Sequence, residues 1–212
     1  MRKLVVLESV TLDGVMQAPG RSDEDTRGDF PYGGWAGPYN DPVMGQEMGA
    51  GMARGAEFLF GRHTYEDFHK TWHGRTDNPF SAIFDNSPKY VASRTLKAPL
   101  AWQNSTLLAG NTMEAVARLK ATDGLDLLVM GSGALVESLA GADLVDQYLL
   151  LIHPLVLGTG RRLFGDGGPS ARLRLVRSVP TTTGVIIATY EPVAAATTTI
   201  PADSATEAAG VA

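Results

Sequence analysis

Short aliphatic runs and helical patterns alternate along most of this chain, and that alternation restricts it to the α/β class of folds. The largely apolar run from Leu125 to Met130 is typical of a strand buried in a parallel sheet. Strands that are separated by helices pair in parallel, because a parallel connection needs a crossover of a dozen residues or more. The last strand patterns have no helix between them, which predicts a closing antiparallel hairpin.

The full pattern predicts about eight strands and four helices, arranged as a mostly parallel sheet. The remaining strands are predicted at Leu4 to Glu8, Glu57 to Phe60, Lys89 to Ser93, Ser105 to Ala109, Asp146 to Val156, Arg172 to Val179 and Val185 to Glu191. The helices are predicted at Asp41 to Arg54, Thr64 to Lys70, Asn111 to Lys120 and Gly131 to Gly141. Strict alternation from Arg172 to Arg177 predicts a strand with one face in water.

Residues with strong capping preferences mark where three of these helices begin. Asp41 is followed by Pro42, which suits the first helical position, and Asn111 is followed three residues later by Glu114, as in a capping box. Thr64 is the predicted cap of the helix that follows the second strand. A loop rich in Gly, Pro and Asp, from Leu12 to Asn40, precedes the first helix.

Composition excludes several classes of protein. The chain has no cysteine, so disulfide frameworks, thiolate zinc sites and cysteine nucleophiles are excluded. Its formal charge is −5 and no basic cluster is longer than Arg161-Arg162, so nucleic acid is not expected as the main partner. No apolar stretch approaches the roughly 18 residues of a membrane helix, and no signal peptide is apparent at the start of this sequence. We therefore expect a cytoplasmic protein without a membrane partner.

The chain is predicted to form one domain over residues 1–192, followed by a disordered tail. Residues 193–212 are mostly Ala, Thr, Pro, Asp and Ser, with little to bury. His69 and His73 are four residues apart with His63 nearby, but the glutamate of a zinc-binding helix motif is missing. A surface histidine pair is the favoured interpretation, so no metal site is predicted.

Two strand-to-helix junctions could bind phosphate. At the first, Gly61 ends a strand and is followed by Arg62 and Thr64; an ordinary turn with a surface arginine is the alternative. At the second, Gly131, Ser132 and Gly133 open a helix whose N-terminal amides and dipole favour an anion. This is not the Rossmann fingerprint, because Val136 replaces its third glycine and the motif lies late in the chain.

A third cluster follows the strand that ends near Ser93. Ser93, Arg94 and Thr95 combine two hydroxyls with a guanidinium, a set that suits a phosphate monoester, although a solvated strand end is the alternative. A charge-assisted hydrogen bond contributes roughly 1.5–3 kcal/mol. Arg62 and Arg94 together would therefore favour a coenzyme with a 2′-phosphate, NADPH rather than NADH.

The order and spacing of these motifs resemble the dihydrofolate reductase family, and more closely the free-standing relatives of the reductase domain of bacterial riboflavin biosynthesis. Further motifs of the same kind are Ser9-x-x-Leu12-Asp13-Gly14, Gly33-Gly34-Trp35 and His153-Pro154-Leu155-Val156-Leu157-Gly158-x-Gly160. The resemblance spans about residues 3 to 192. It implies a three-layer dihydrofolate reductase-like fold with a dinucleotide across the carboxyl ends of the sheet.

The resemblance also implies roles for individual residues. The coenzyme would be held by Gly14, Gly61, Arg62, Thr64, Ser93, Arg94, Gly131, Ser132, Gly133, Ala134 and Leu135, with residues 13–20 as a mobile loop over the nicotinamide. Folate reductases carry a substrate-binding carboxylate on their first helix, and either Asp41 or Glu47 could match it. Trp35 could form the floor of a pocket for a planar substrate or anchor its loop to the core.

The function implied is hydride transfer from NADPH to a small heterocyclic or sugar-derived C=O or C=N group, of the pterin or riboflavin-precursor type. The catalytic proton donor is not assigned. The alternative is a dinucleotide-binding or sensor protein of the same fold without turnover. By the same resemblance we expect a homodimer, with the apolar strand from Tyr148 to Val156 as a candidate contact.

Overall fold

A computed structural model describes residues 1–193, which form eight β-strands, five α-helices and one short 3-10 helix. The strands are β1 (Leu4–Thr11), β2 (Glu57–Gly61), β3 (Lys89–Ala92), β4 (Ser105–Leu108), β5 (Leu127–Met130), β6 (Gln147–His153), β7 (Leu173–Pro180) and β8 (Ile186–Pro192). The helices are α1 (Pro42–Ala53), α2 (Arg62–Trp72), α3 (Pro79–Asn86), α4 (Thr112–Lys120) and α5 (Gly133–Gly141), and the 3-10 turn is Gly37–Tyr39.

All eight strands form one sheet in the order β4-β3-β2-β5-β1-β6-β8-β7. The six strands from β4 to β6 are parallel, whereas β8 is antiparallel to both β6 and β7. The predicted mostly parallel sheet with a C-terminal antiparallel hairpin is therefore confirmed. The order of the strands along the sheet was not part of that prediction, because it depends on pairings between residues far apart in the chain.

The two faces of the sheet are covered by different helices. On one face, Leu4, Val6 and Val129 form a core with Val116 of α4 and Val136 of α5. On the other face, aromatic side chains of β2 pack with α2 and α3, and Met44 of α1 packs with the closing strands. This gives three layers, helices–sheet–helices, as the resemblance to dihydrofolate reductases implies.

Two of the predicted caps are confirmed and one is wrong. The Asp41 side chain accepts from the Met44 amide at the start of α1, and that of Asn111 accepts from the Met113 and Glu114 amides at the start of α4. Helix α2 begins two residues earlier than predicted, with Gly61 as its cap and no side-chain capping bond. Thr64 therefore lies within the first turn and does not cap the helix.

Helix α3 and the environment of β7 were not anticipated. Asn78 caps α3 and Pro79 opens it, so the start signal was present but its short apolar pattern was not recognised. Strand β7 lies at the edge of the sheet, and its pairing with β8 is irregular between Leu175 and Arg177. Five consecutive residues from Arg174 to Ser178 are exposed, among them Leu175 at 50% and Val176 at 46%. The prediction of a single wet face is wrong, because this edge strand has neither face well covered by the described residues.

The long segment between β1 and α1 is tied down by hydrogen bonds. The Asp13 carboxylate accepts from the Leu157 and Gly158 amides, and the Gln17 side chain bridges the Asp25 and Arg27 carbonyls. Val15, Gln17 and Ala18 are buried. Residues 13–20 are therefore anchored in this structure, and movement of this loop over the nicotinamide stays a prediction of the resemblance. The predicted tail is described only at Val193, whose amide donates to the Arg172 carbonyl; the rest lies outside the described residues.

Candidate functional site

A large cavity of about 1150 Å³ opens where β2, β3 and β5 end. Because these neighbouring strands are parallel, their carboxyl ends meet at one edge of the sheet, where ligands of open α/β sheets bind. The cavity exceeds the range of roughly 300–1,000 Å³ that is typical of small-molecule sites. A dinucleotide together with a small second ligand is within its capacity.

The two glycine junctions predicted from the sequence lie side by side in this cavity. The Gly61 amide donates to the Ser132 hydroxyl at 2.9 Å, which joins the end of β2 to the start of α5. A Cβ atom on Gly131 would lie 3.0 Å from the Thr64 side chain, so only glycine fits there without movement. Residues more than 60 positions apart thus form one continuous backbone surface.

The backbone at the start of α5 is unusual. Gly131 has φ +61° and Ser132 has φ +63°, so both lie in the left-handed region, which is uncommon for serine. The Leu135 and Val136 amides donate to the Ser132 carbonyl. The amides before them, in the first turn of the helix, have no intrahelical carbonyl to donate to. Gly133 and Ala134 line the cavity at this point, so the helix presents its positive end to it.

Two arginines border the cavity near these junctions. Arg62, at the start of α2, contacts Glu66 Oε2 at 3.1 Å and His63 Nε2 at 2.9 Å, and its side chain is about one-third exposed. Arg94 follows Ser93, whose hydroxyl accepts from the Thr95 and Leu96 amides and so holds a tight turn at the end of β3. Both arginines are therefore part of the cavity wall.

Ten of the eleven residues predicted to bind the coenzyme line this cavity. Gly14 does not: it has φ +80°, and its carbonyl accepts from the Leu163 amide. Its neighbours Met16, Gln17 and Ala18 line the cavity in its place. The glycine is needed for the turn that directs those side chains inward.

The three predicted substrate-binding residues lie outside the cavity, and the structure gives each of them another role. Trp35 is buried, its indole N–H donates to the Gln17 carbonyl at 2.7 Å, and it packs edge-on against His153. Asp41 caps α1 and accepts from the Thr182 amide and hydroxyl. Glu47 forms a bidentate ion pair with Arg177 on the surface, in which each guanidinium nitrogen lies 2.8 Å from a carboxylate oxygen.

The histidine pair lies away from the cavity's glycine junctions, against Trp102. The rings of His69 and His73 are 4.9 Å apart, and His73 Nδ1 lies 2.8 Å from Asp85 Oδ1. Burial is the main cause that lowers the pKa of His69, and the neighbouring His73 adds to it. In residues 1–193, no group of three or more His, Asp or Glu side chains is arranged to hold a metal ion.

The acidic residues of the cavity, Glu8 and Glu24 among them, were not singled out from the sequence. Glu8 on β1 is 4% exposed, and its Oε1 atom is buried without a hydrogen-bond partner among the described residues. Burial raises its pKa well above the usual value, and the nearby charge of Glu24 adds to this. Burial likewise raises the pKa of Glu24. The signal in the sequence was the alternation Leu4, Val6, Glu8, Val10, which places a carboxyl on a buried face.

Strand β1 also offers backbone groups to the cavity. Its pairing with β5 ends at Leu7 and Met130, whereas its pairing with β6 continues to Thr11 and His153. In the described part of the chain, the edge of β1 beyond Leu7 is therefore not covered by β5. Leu7, Glu8 and Ser9 line the cavity along this edge, where backbone N–H and C=O groups suit a planar amide.

A sheet of this order, with a dinucleotide-sized cavity at its carboxyl edge, defines a protein of the dihydrofolate reductase-like fold. The model of the RibD C-terminal domain family matches residues 2–187. The chain belongs to that family, which is the reductase family that the sequence motifs resemble.

Solved structures confirm the fold. A putative riboflavin biosynthesis protein from Shewanella sp. PV-4 is similar with a TM-score of 0.68 and 23% identity, over 90% of this chain and 98% of that one. Dihydrofolate reductase from Enterococcus faecalis, complexed with NADP(H) and RAB-propyl, is similar with a TM-score of 0.55 and 15% identity, over 90% of this chain and 96% of that one.

One relative has a higher sequence identity, but over a shorter part of the chain. The uncharacterized protein YyaP of Bacillus subtilis is 30% identical over 115 residues, which span 54% of this chain and 60% of that protein.

No helix in residues 1–193 combines the length and the apolar character needed to cross a bilayer.

Proposed function

We propose that this protein is an NADPH-dependent oxidoreductase that reduces a C=O or C=N group of a small heterocyclic or sugar-derived substrate. One observation carries the proposal: the predicted phosphate-binding residues of three separate strand ends converge on one cavity. The family to which the chain belongs supports a reductase of the riboflavin and folate type. The choice of coenzyme and the class of substrate are part of this proposal.

The cavity residues fit a dinucleotide. Gly131 and Gly133 leave the backbone at the start of α5 uncovered, and the left-handed conformation of Gly131 and Ser132 turns successive amides toward one side. These amides and the helix dipole would bind a pyrophosphate. Gly61 and Thr64 lie directly against this surface and would hold the neighbouring part of the ligand.

Arg62 and Arg94 support NADPH over NADH. Both line the cavity, and the hydroxyls of Ser93 and Thr95 lie beside Arg94, so that a phosphate monoester would meet donors from two directions. A guanidinium binds such a group through two parallel hydrogen bonds. The coenzyme supplies the hydride when it is bound, while β1 and the anchored segment 13–20 hold the substrate and exclude water.

The proposal is tested by calorimetric titration of the protein with NADPH and NADH, followed by NADPH oxidation with a panel of pterins, flavin precursors and carbonyl compounds. We expect saturable binding, tighter for NADPH, and turnover with at least one class in the panel. The absence of saturable binding at millimolar NADPH would refute the proposal. Binding without any turnover would instead favour a sensor of the same fold.

We also propose a cytoplasmic homodimer, but with a different contact from the predicted one. Strand β6 is paired with β1 on one edge and β8 on the other, so it has no free edge. Strand β7 ends the sheet, and Leu175, Val176, Ile186 and Val193 leave large apolar side chains exposed on β7 and beside it. Such exposed apolar groups at a sheet edge are typical of contact surfaces.

A further inference from the structure

We propose that Glu8 is the catalytic acid that supplies the proton of the reduction. This rests on the proposed function, because it assigns a role within the same cavity. A hydride added to a C=O or C=N carbon moves an electron pair to the heteroatom, which then needs a proton. The structure provides one buried carboxyl that is free to give it.

The position of Glu8 is set by the pleat of β1. Leu4, Val6, Glu8 and Val10 point to the same face of the sheet, and the three apolar members belong to the core formed with α4 and α5. Glu8 is the member that reaches the end of β5, where the core gives way to the cavity. Its carboxyl therefore has apolar packing beneath it and the cavity in front of it.

The contrast with Glu57 shows why a structural role does not account for Glu8. Glu57 is also buried in the sheet, but its Oε2 atom accepts from Arg2 and from the Tyr90 hydroxyl. Glu8 has no ion pair among the described residues, and its Oε1 atom has no hydrogen-bond partner there. A carboxylate buried without partners is costly, so such a group stays protonated unless a ligand satisfies it.

The surroundings of Glu8 keep it protonated. Burial is the larger cause of its raised pKa, and the charge of Glu24 is the second. Glu24 is held in place because its Oε2 atom accepts from the Gly20 and Arg21 amides. The cavity wall also carries Arg62 and Asp67 on α2, Glu137 on α5, and Arg161 and Arg162 beyond β6.

The proton balance of the step is simple. As the substrate carbon gains a hydride from the reduced nicotinamide, the O–H bond of Glu8 breaks and a new O–H or N–H bond forms on the heteroatom. The π electron pair of the C=O or C=N group forms the new bond between the heteroatom and the proton, and Glu8 is left as a carboxylate. Solvent reprotonates it after the product leaves, since burial and Glu24 favour the neutral form.

The protonation state is tested first, on the full chain without coenzyme. Carbon-13 NMR of protein labelled at the glutamate side-chain carboxyls is followed from acidic to neutral pH. We expect one carboxyl signal, absent from Glu8→Gln, to titrate far above the ordinary glutamate pKa of about 4.3. In Glu24→Gln that signal should remain and titrate at lower pH. A Glu8 carboxyl that titrates at or below the ordinary value would overturn the proposal.

The catalytic role is tested with the substrate found in the panel. Glu8→Gln should keep its affinity for NADPH in calorimetry but lose ~100-fold or more in kcat, because general acid catalysis typically contributes that much. The wild-type kcat should fall as pH rises through the Glu8 pKa, and this fall should be absent from the variant. Unchanged turnover in Glu8→Gln would overturn the assignment.

A matched control separates Glu8 from a general loss of charge. Glu191→Gln removes a carboxylate that pairs with Arg174 and Lys3 outside the cavity, and it should change neither the Glu8 signal nor turnover. The two proposals fail in different ways. Failure of wild-type protein to bind NADPH refutes the coenzyme and the proton-donor role with it, whereas binding and turnover that survive in Glu8→Gln refute only the role of Glu8.

Discussion

Single residues in the cavity fall into two kinds: those that must leave space and those that must carry charge. Gly131 is of the first kind, because both its positive φ and the nearby Thr64 side chain exclude a Cβ atom. Arg94 is of the second kind, because it lies beside two hydroxyls at the end of β3 without contributing to the core. Each kind leads to a distinct measurable effect.

Arg94→Ala tests the choice of coenzyme. We expect a loss in NADPH affinity of about 10- to 100-fold, the equivalent of one charge-assisted hydrogen bond, with little change for NADH. Calorimetric titration of both coenzymes measures this directly. Arg118→Ala, an exposed arginine on α4 outside the cavity, is the control and should leave both affinities unchanged. Equal losses for NADPH and NADH in Arg94→Ala would contradict a 2′-phosphate contact.

Gly131→Ala tests the backbone surface. The alanine would meet Thr64 at 3.0 Å in a left-handed conformation, so we expect a loss of about 1–3 kcal/mol in the free energy of unfolding together with weaker NADPH binding. Gly45→Ala in α1 is the matched control: apart from its chain neighbours and the helix's own backbone, no atom lies within 4 Å of its Cβ position, and alanine there should be neutral or stabilising by up to about 1 kcal/mol. Chemical denaturation and calorimetry provide both readouts.

Among the elements, α3 shows how a short helix is fixed by polar side chains around its end. Lys89 is buried, and its Nζ atom donates to the carbonyls of Phe84 and Ser87 and lies 4.6 Å from the Trp102 ring. Asp85 accepts from the Trp102 indole at 2.6 Å and from the Gly74 amide. The helix is thus held to the sheet and to α2 by one polar cluster.

Asp85 should make stability depend on acid pH. Burial alone would raise its pKa, but hydrogen bonds with His73, Trp102 and Gly74 outweigh burial and lower it to about 2. Because the folded pKa lies below the unfolded one, the stabilisation is present above about pH 4 and is lost as pH falls toward 2. The stability difference between wild type and Asp85→Asn should therefore shrink over that interval.

Thermal denaturation at several pH values measures this difference. Asp123→Asn, at an exposed position between α4 and β5, is the control and should follow wild type throughout. A difference between wild type and Asp85→Asn that stays constant from pH 5 to pH 2 would show that the cluster does not depend on the ionised carboxylate.

At the scale of the whole molecule, the cavity lies at the carboxyl ends of the parallel strands, and the exposed apolar residues lie at the edge formed by β7. The parallel strands supply the cavity, whereas the antiparallel hairpin of β7 and β8 carries exposed apolar side chains. Sedimentation velocity should show a dimer for wild type and a monomer for Val176→Asp. NADPH binding by the variant checks that its cavity is intact. A wild-type monomer at micromolar concentration would contradict the proposed contact.

The sequence by itself determined the fold class, the parallel-then-antiparallel character of the sheet, and ten of the residues that line the cavity. These follow from local signals: apolar runs such as Leu125 to Met130, the caps Asp41 and Asn111, and glycines at strand ends. Such signals depend on the chain's own periodicity and backbone freedom, so they can be recognised without knowing what lies nearby in space.

Only the tertiary structure decided which carboxyl groups face the cavity. Glu47 and Glu8 are both acidic residues near predicted elements, but Glu47 pairs with Arg177 on the surface, whereas Glu8 lies buried beside the end of β5. The role of a carboxyl depends on its burial and on partners that are distant in the chain. Those partners become neighbours only when the strands pair, and no local pattern specifies that.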